Sequence, residues 1–152
     1  MFSCHLNKVV HSCRKDLFWG VYAFSGFLLG LKNKKNPFGL CNTFNPIGAF
    51  VWIDAIVFGL FFFLVSIFSF LFKQWNLFLL IAAVFWTIRS LGEVIYWFLE
   101  QFATKHRNPP HTLWPYKWFK GEEVWIVMQI FWQCIAVIGI VTSLYLWTLL
   151  RG

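Results

Sequence analysis

Asp54, Arg89, Glu93, Gln129 and Gln133 form a set of polar and ionisable residues inside stretches that are otherwise largely apolar. A charge at the centre of a membrane helix costs roughly 2.5–3.5 kcal/mol on insertion scales, so such groups face a protein interior or a water path rather than lipid. Arg89 and Glu93 are four residues apart, as are Gln129 and Gln133, which places each pair on one helix face. Counted inward from the ends of their apolar stretches, at about 1.5 Å per residue, Asp54, Glu93, Gln129 and Gln133 come to a similar depth. The expected polar centre is therefore an Asp54/Arg89/Glu93 cluster closed by the two glutamines. An arginine between carboxylates orients helices against one another. The same group carries a formal excess of negative charge and suits a proton, an ion or a polar solute.

Two further constellations stand outside the apolar stretches. The N-terminal CHLNKVVHSC offers Cys4, His5, His11 and Cys13 as weak zinc candidates. Zinc sites favour paired ligands two to four residues apart, and adjacent Cys4 and His5 are awkward to use together, so neither metal nor cofactor is expected. The segment TKHRNPPHTLWPYKWFKGEE mixes Arg107, Lys117 and Lys120 with Trp114 and Trp118. Such a mixture buries its rings at a membrane interface and sets its cations on anionic headgroups, or docks a soluble partner. No GxSxG, Walker A, dinucleotide, HExxH or CxxC pattern is present, and the expectation is a protein that is not an enzyme.

The elements that must position these residues are membrane helices. The chain is 59% hydrophobic, 22% aromatic and only 12% charged, whereas soluble domains carry about 25% charged residues. The net charge of +7 comes from residues that lie between apolar blocks, with no nucleic-acid module among them. Three stretches, about 47–72, 76–102 and 124–150, meet the criterion of roughly 20 apolar residues for a span. Asn45 and Pro46 predict the start of the first, as N-cap and first helical residue. Pro109, Pro110 and Pro115 interrupt the chain between the second and third. Residues 1–45 form an N-terminal segment ahead of this bundle at 46–152.

Within that segment, LFWGVYAFSGFLLGL at 17–31 spans only about 22 Å as a helix and has basic residues at both ends. It reads as a short interfacial or re-entrant helix, with a fourth span as the alternative. Gly26 and Gly30 in it let another helix approach closely. Lys and Arg concentrate ahead of the first span and between the second and third, which places the N-terminus in the cytoplasm and the C-terminus outside a cell membrane.

The expected fold is thus an all-α polytopic membrane bundle of three transmembrane helices. The expected function is that of a small scaffold or accessory subunit in contact with lipids, a membrane-protein partner or a second copy of itself, and not with nucleic acid. The alternative is an oligomeric channel or transporter working through Asp54, Arg89 and Glu93.

Overall fold

The computed structural model describes residues 2–104 and 106–151, with side chains from Arg14 onward except residue 42. The fold is all-α. Four α-helices are formed among the described residues: α1 (Phe2–Lys32), α2 (Trp52–Phe72), α3 (Trp75–Glu100) and α4 (Glu123–Arg151). Short 3-10 turns lie at Asn42–Ile47, Pro110–Thr112 and Trp114–Lys117. Helices α2, α3 and α4, of 21, 26 and 29 residues, are long and apolar enough to cross a membrane. The chain divides into two compact units, Met1–Ile81 and Ala82–Arg151.

In the first unit α1 runs from Phe2, well before the apolar stretch at 17–31. Residues 2–16 contain neither Pro nor Gly, so nothing in the backbone stops the helix where the apolar pattern stops. It closes at Lys32, where the Asn33 side-chain amide donates to Leu29 O at 2.8 Å.

Helices α1 and α2 pack antiparallel along their shared length. Asp16 meets Ser69 through a 3.0 Å hydrogen bond. Further along, Gly20 faces Ser66, Gly59 faces the backbone of Ala23 and Phe27, and Gly30 faces Ile56 and Trp52 O. A Cβ on Gly59 would stand 2.7 Å from Phe27 N and 2.8 Å from Ala23 O, so at this point the two backbones touch. Gly26 serves a different contact, with the ring of buried Phe44 filling the space where its side chain would be.

The start of α2 departs from the expected Asn45–Pro46 cap. Pro46 sits inside the 3-10 turn, and Gly48 ends that turn in the left-handed region at φ 78°. Val51 is then extended, and α2 begins only at Trp52. The loop takes over the capping: Trp52 N–H donates to Gly39 O at 3.2 Å and Ile53 N–H to Pro37 O at 3.0 Å. These backbone acceptors supply what an N-cap side chain otherwise would. At the other end Lys73, at φ 53°, closes α2 in a left-handed cap, its N–H bonding to Phe70 O. The first turn of α3 then returns Trp75 and Phe78, whose rings stack at 4.9 Å.

In the second unit α4 buries Val124, Trp125, Met128, Trp132 and Ala136, a stripe repeating at helical spacing. Gly139 lies against Thr87 of α3, where a Cβ would come 2.5 Å from Thr87 Oγ1. The remaining faces of α3 and α4 expose large apolar side chains, among them Ile88, Ile95, Ile130, Ile138 and Leu144. Helices apolar all round belong in lipid.

Gly59→Ala forces two touching backbones apart and is expected to destabilise the protein by about 1–3 kcal/mol. Gly92, where an added methyl group would meet nothing within 4 Å, is the control, and Gly92→Ala is expected to stabilise by up to about 1 kcal/mol. Denaturant unfolding of the detergent-solubilised protein reads both.

Candidate functional site

One turn of α3 carries the ion pair anticipated from spacing. Arg89 Nη1 lies 2.8 Å from Glu93 Oε1, and the two side chains are 25% and 15% exposed. Gln129 finds its partner at the end of that helix: Gln101 Nε2 donates to Gln129 Oε1 at 2.7 Å and lies 3.3 Å from Trp97 O. Gln133, one turn further along α4, is exposed. Asp54 belongs to the first unit, in the first turn of α2, where it accepts the Phe50 N–H at 3.3 Å. A carboxylate there also complements the positive end of the helix.

A well-connected polar group in the second unit is one that the apolar pattern does not single out. Glu100, 6% exposed, ends α3 and turns its carboxylate onto the loop beyond. Its Oε1 accepts the backbone N–H groups of Arg107 at 2.6 Å and Asn108 at 2.9 Å. Its carbonyl oxygen lies 3.1 Å from His106 Nδ1. Asn108 extends the network, donating through Nδ2 to Tyr96 Oη at 2.6 Å and accepting from Trp125 Nε1 at 3.1 Å. The His106 ring lies 4.0 Å from that of Trp125.

A glutamate at the edge of an apolar stretch reads as an interfacial charge. The sequence signal for its role lies further along the chain: Pro109 and Pro110 prevent the loop from continuing as helix, so its N–H groups need another acceptor. Glu100 is that acceptor, and the loop between α3 and α4 is tied to both helices through it.

Beyond this network the loop turns its cations and rings outward. Arg107, Lys117 and Lys120 are exposed, as are Trp114, Trp118 and Phe119. Buried Pro115 anchors the turn that carries them, and Trp114 meets Trp118 and Phe131 edge to face at 5.7 and 5.9 Å. Cys4, His5, His11 and Cys13 lie outside the residues whose side chains are described. Of the other cysteines, Cys41 is buried and Cys134 exposed. Burial pushes the Cys41 thiol above its ordinary range, helped by the nearby Asp54 charge and opposed by a hydrogen bond at Phe44.

By length and composition, three helices of this kind define a multi-pass membrane protein. No family model, curated protein or solved structure matches the chain.

The network around Glu100 is open to a direct test. Glu100→Ala leaves two backbone N–H groups without their acceptor and is expected to cost about 2 kcal/mol. Limited trypsin digestion in detergent should then cleave faster after Arg107, while Glu100→Gln, which keeps an acceptor oxygen, should fall between it and the parent protein.

Proposed function

We propose that this chain is a non-catalytic multi-pass membrane protein, a small scaffold or accessory subunit whose internal polar groups hold its own helices and loop in place. The observation that carries this reading is how those groups are used. Arg89 is bonded to Glu93, Gln129 to Gln101, and Glu100 to two backbone N–H groups. Groups engaged in this way fix geometry. The outward apolar residues of α3 include Ile88, Leu91, Ile95 and Leu99, with exposed Gly92 among them. That face suits lipid or the helix of a membrane partner.

We also read α1 as a fourth membrane-embedded helix. Support comes from its contacts with α2, which run from Asp16 beside Ser69 to Gly30 beside Ile56 and so follow most of the length of a spanning helix. Leu17, Phe18, Val21, Leu28 and Leu29 of α1 are exposed, which suits lipid around it. In this topology Lys32, Lys34 and Lys35 share the cytoplasmic side with the loop bearing Arg107, Lys117 and Lys120, and both termini lie outside.

The polar pair separates structure from transport. Arg89→Leu leaves Glu93 without its cation and is expected to destabilise by about 3–5 kcal/mol. Arg89→Leu with Glu93→Leu should recover most of that loss and leave any partner association intact. Proton or ion flux through proteoliposomes that disappears in the folded double variant would overturn the scaffold reading in favour of a channel. Tags on the two termini should be accessible from the same face of the membrane; opposite faces would remove α1 from the set of spans.

A further inference from the structure

The loop between α3 and α4 does not stand clear of the helix ends. Its Trp114 ring meets the ring of Phe131 at 5.9 Å, and Phe131 lies eight residues beyond the start of α4 at Glu123, about 12 Å along the helix axis. Pro115, next to Trp114, is buried, so this turn is folded back against the side of α4. That helix has 29 residues and is about 43 Å long, whereas the hydrocarbon core of a bilayer is roughly 30 Å thick. A helix of this length centred in the bilayer overhangs the core by about 6–7 Å at each end. Phe131 and the ring of Trp114 then lie about 5 Å inside the hydrocarbon. Phe131 is itself exposed, so the two rings share an outward flank of α4.

The same stretch carries cations. Lys117 closes the 3-10 turn that begins at Trp114, and Lys120 follows Trp118 and Phe119. All four of these side chains are exposed. Arg107 is exposed on the other limb of the loop, where its backbone N–H is held by Glu100. Between Gln101 and Val124 the cations Lys105, Arg107, Lys117 and Lys120 outnumber the acids Glu122 and Glu123.

From this arrangement we infer that the loop binds anionic phospholipid at the bilayer surface from which it emerges. The rings of Trp114, Trp118 and Phe119 enter the boundary between headgroups and hydrocarbon, where amphipathic rings collect. Arg107, Lys117 and Lys120 take the headgroup phosphates, since long cationic side chains reach outward from this depth. An acidic soluble protein would meet the cations but not Trp114, whose ring lies below the surface against α4. A zwitterionic lipid presents its phosphate beside an ammonium group, which repels the same cations. The loop meets the lipid already ordered by the hydrogen bonds of Glu100 and Asn108, so binding costs little conformational entropy. In the topology proposed above, the lipid belongs to the cytoplasmic leaflet, the one with a negative surface potential.

The inference rests on the reading of α3 and α4 as membrane spans, and one experiment separates the two. The full chain is placed in phosphatidylcholine nanodiscs containing increasing fractions of phosphatidylglycerol, and amide hydrogen exchange is mapped by mass spectrometry. The expected result is slow exchange along α3 and α4 in every membrane, and exchange over 107–120 that slows as phosphatidylglycerol is added. Arg107→Gln, Lys117→Gln and Lys120→Gln change only exposed side chains. Each should raise the phosphatidylglycerol fraction needed for half of that slowing about fivefold, the weight of one cation near an anionic surface. Raised salt should shift it in the same direction. Exchange over 107–120 that is indifferent to phosphatidylglycerol would overturn the inference while leaving both helices in the bilayer. Fast exchange over 114–120 in every membrane would also overturn it, as that is the behaviour of a surface held in water for a soluble partner. A half-point unmoved by all three variants would place the anionic lipid elsewhere on the chain and overturn it too. Fast exchange along α3 and α4 themselves would instead remove the spans, and the lipid site with them.

Discussion

A helix that is apolar all round gains little by exchanging lipid for the side of another apolar helix. Contact in such a protein depends on what lipid does not provide, namely backbones brought close enough for dense packing, and hydrogen bonds. The first unit relies on close approach. Gly59 has no side chain to hold α2 off the backbone of Ala23 and Phe27, and Gly30 none to hold α1 off Trp52 O. Once these positions are set, Asp16 is carried to Ser69 at one end of the pair. At the other end the preceding loop is held where its carbonyls can cap α2.

The second unit relies more on hydrogen bonds. Gly139 against Thr87 is a close approach of the same kind, but the loop between α3 and α4 is held by polar groups. Glu100 gathers the N–H groups of Arg107 and Asn108, and Asn108 passes the connection to Tyr96 and Trp125. Holding the loop in this way leaves Trp114, Trp118 and the nearby lysines on its outer surface. A ring-and-cation surface needs such a backing, because an unanchored loop would lose conformational entropy on meeting a membrane or a partner.

Much of the architecture was legible in the residues themselves. The apolar runs located three long helices to within a few residues, because long runs without charge have few other stable states. The Arg89–Glu93 pair followed from a spacing of one helical turn. Boundaries set by backbone geometry were less legible. Asn45–Pro46 has the composition of a helix start, yet Gly48 and Val51 delay α2 to Trp52. The extent of α1 was hidden for a related reason: hydropathy reports the environment of a helix, and its polar first half continues the same backbone without a break.

What the sequence alone determined, then, is the solvent of this protein, since composition decides whether helices are covered by water or by lipid, and with it the number of long apolar helices. It also determined contacts within one helix, where 3.6 residues per turn convert sequence spacing directly into distance. Only the tertiary structure decided which distant groups share a site. Gln101 with Gln129, Glu100 with the loop N–H groups, and Asp16 with Ser69 are separated along the chain by loops or whole helices. Their meeting depends on how helices are rotated and shifted against each other, and that is set by where a missing side chain allows two backbones to touch.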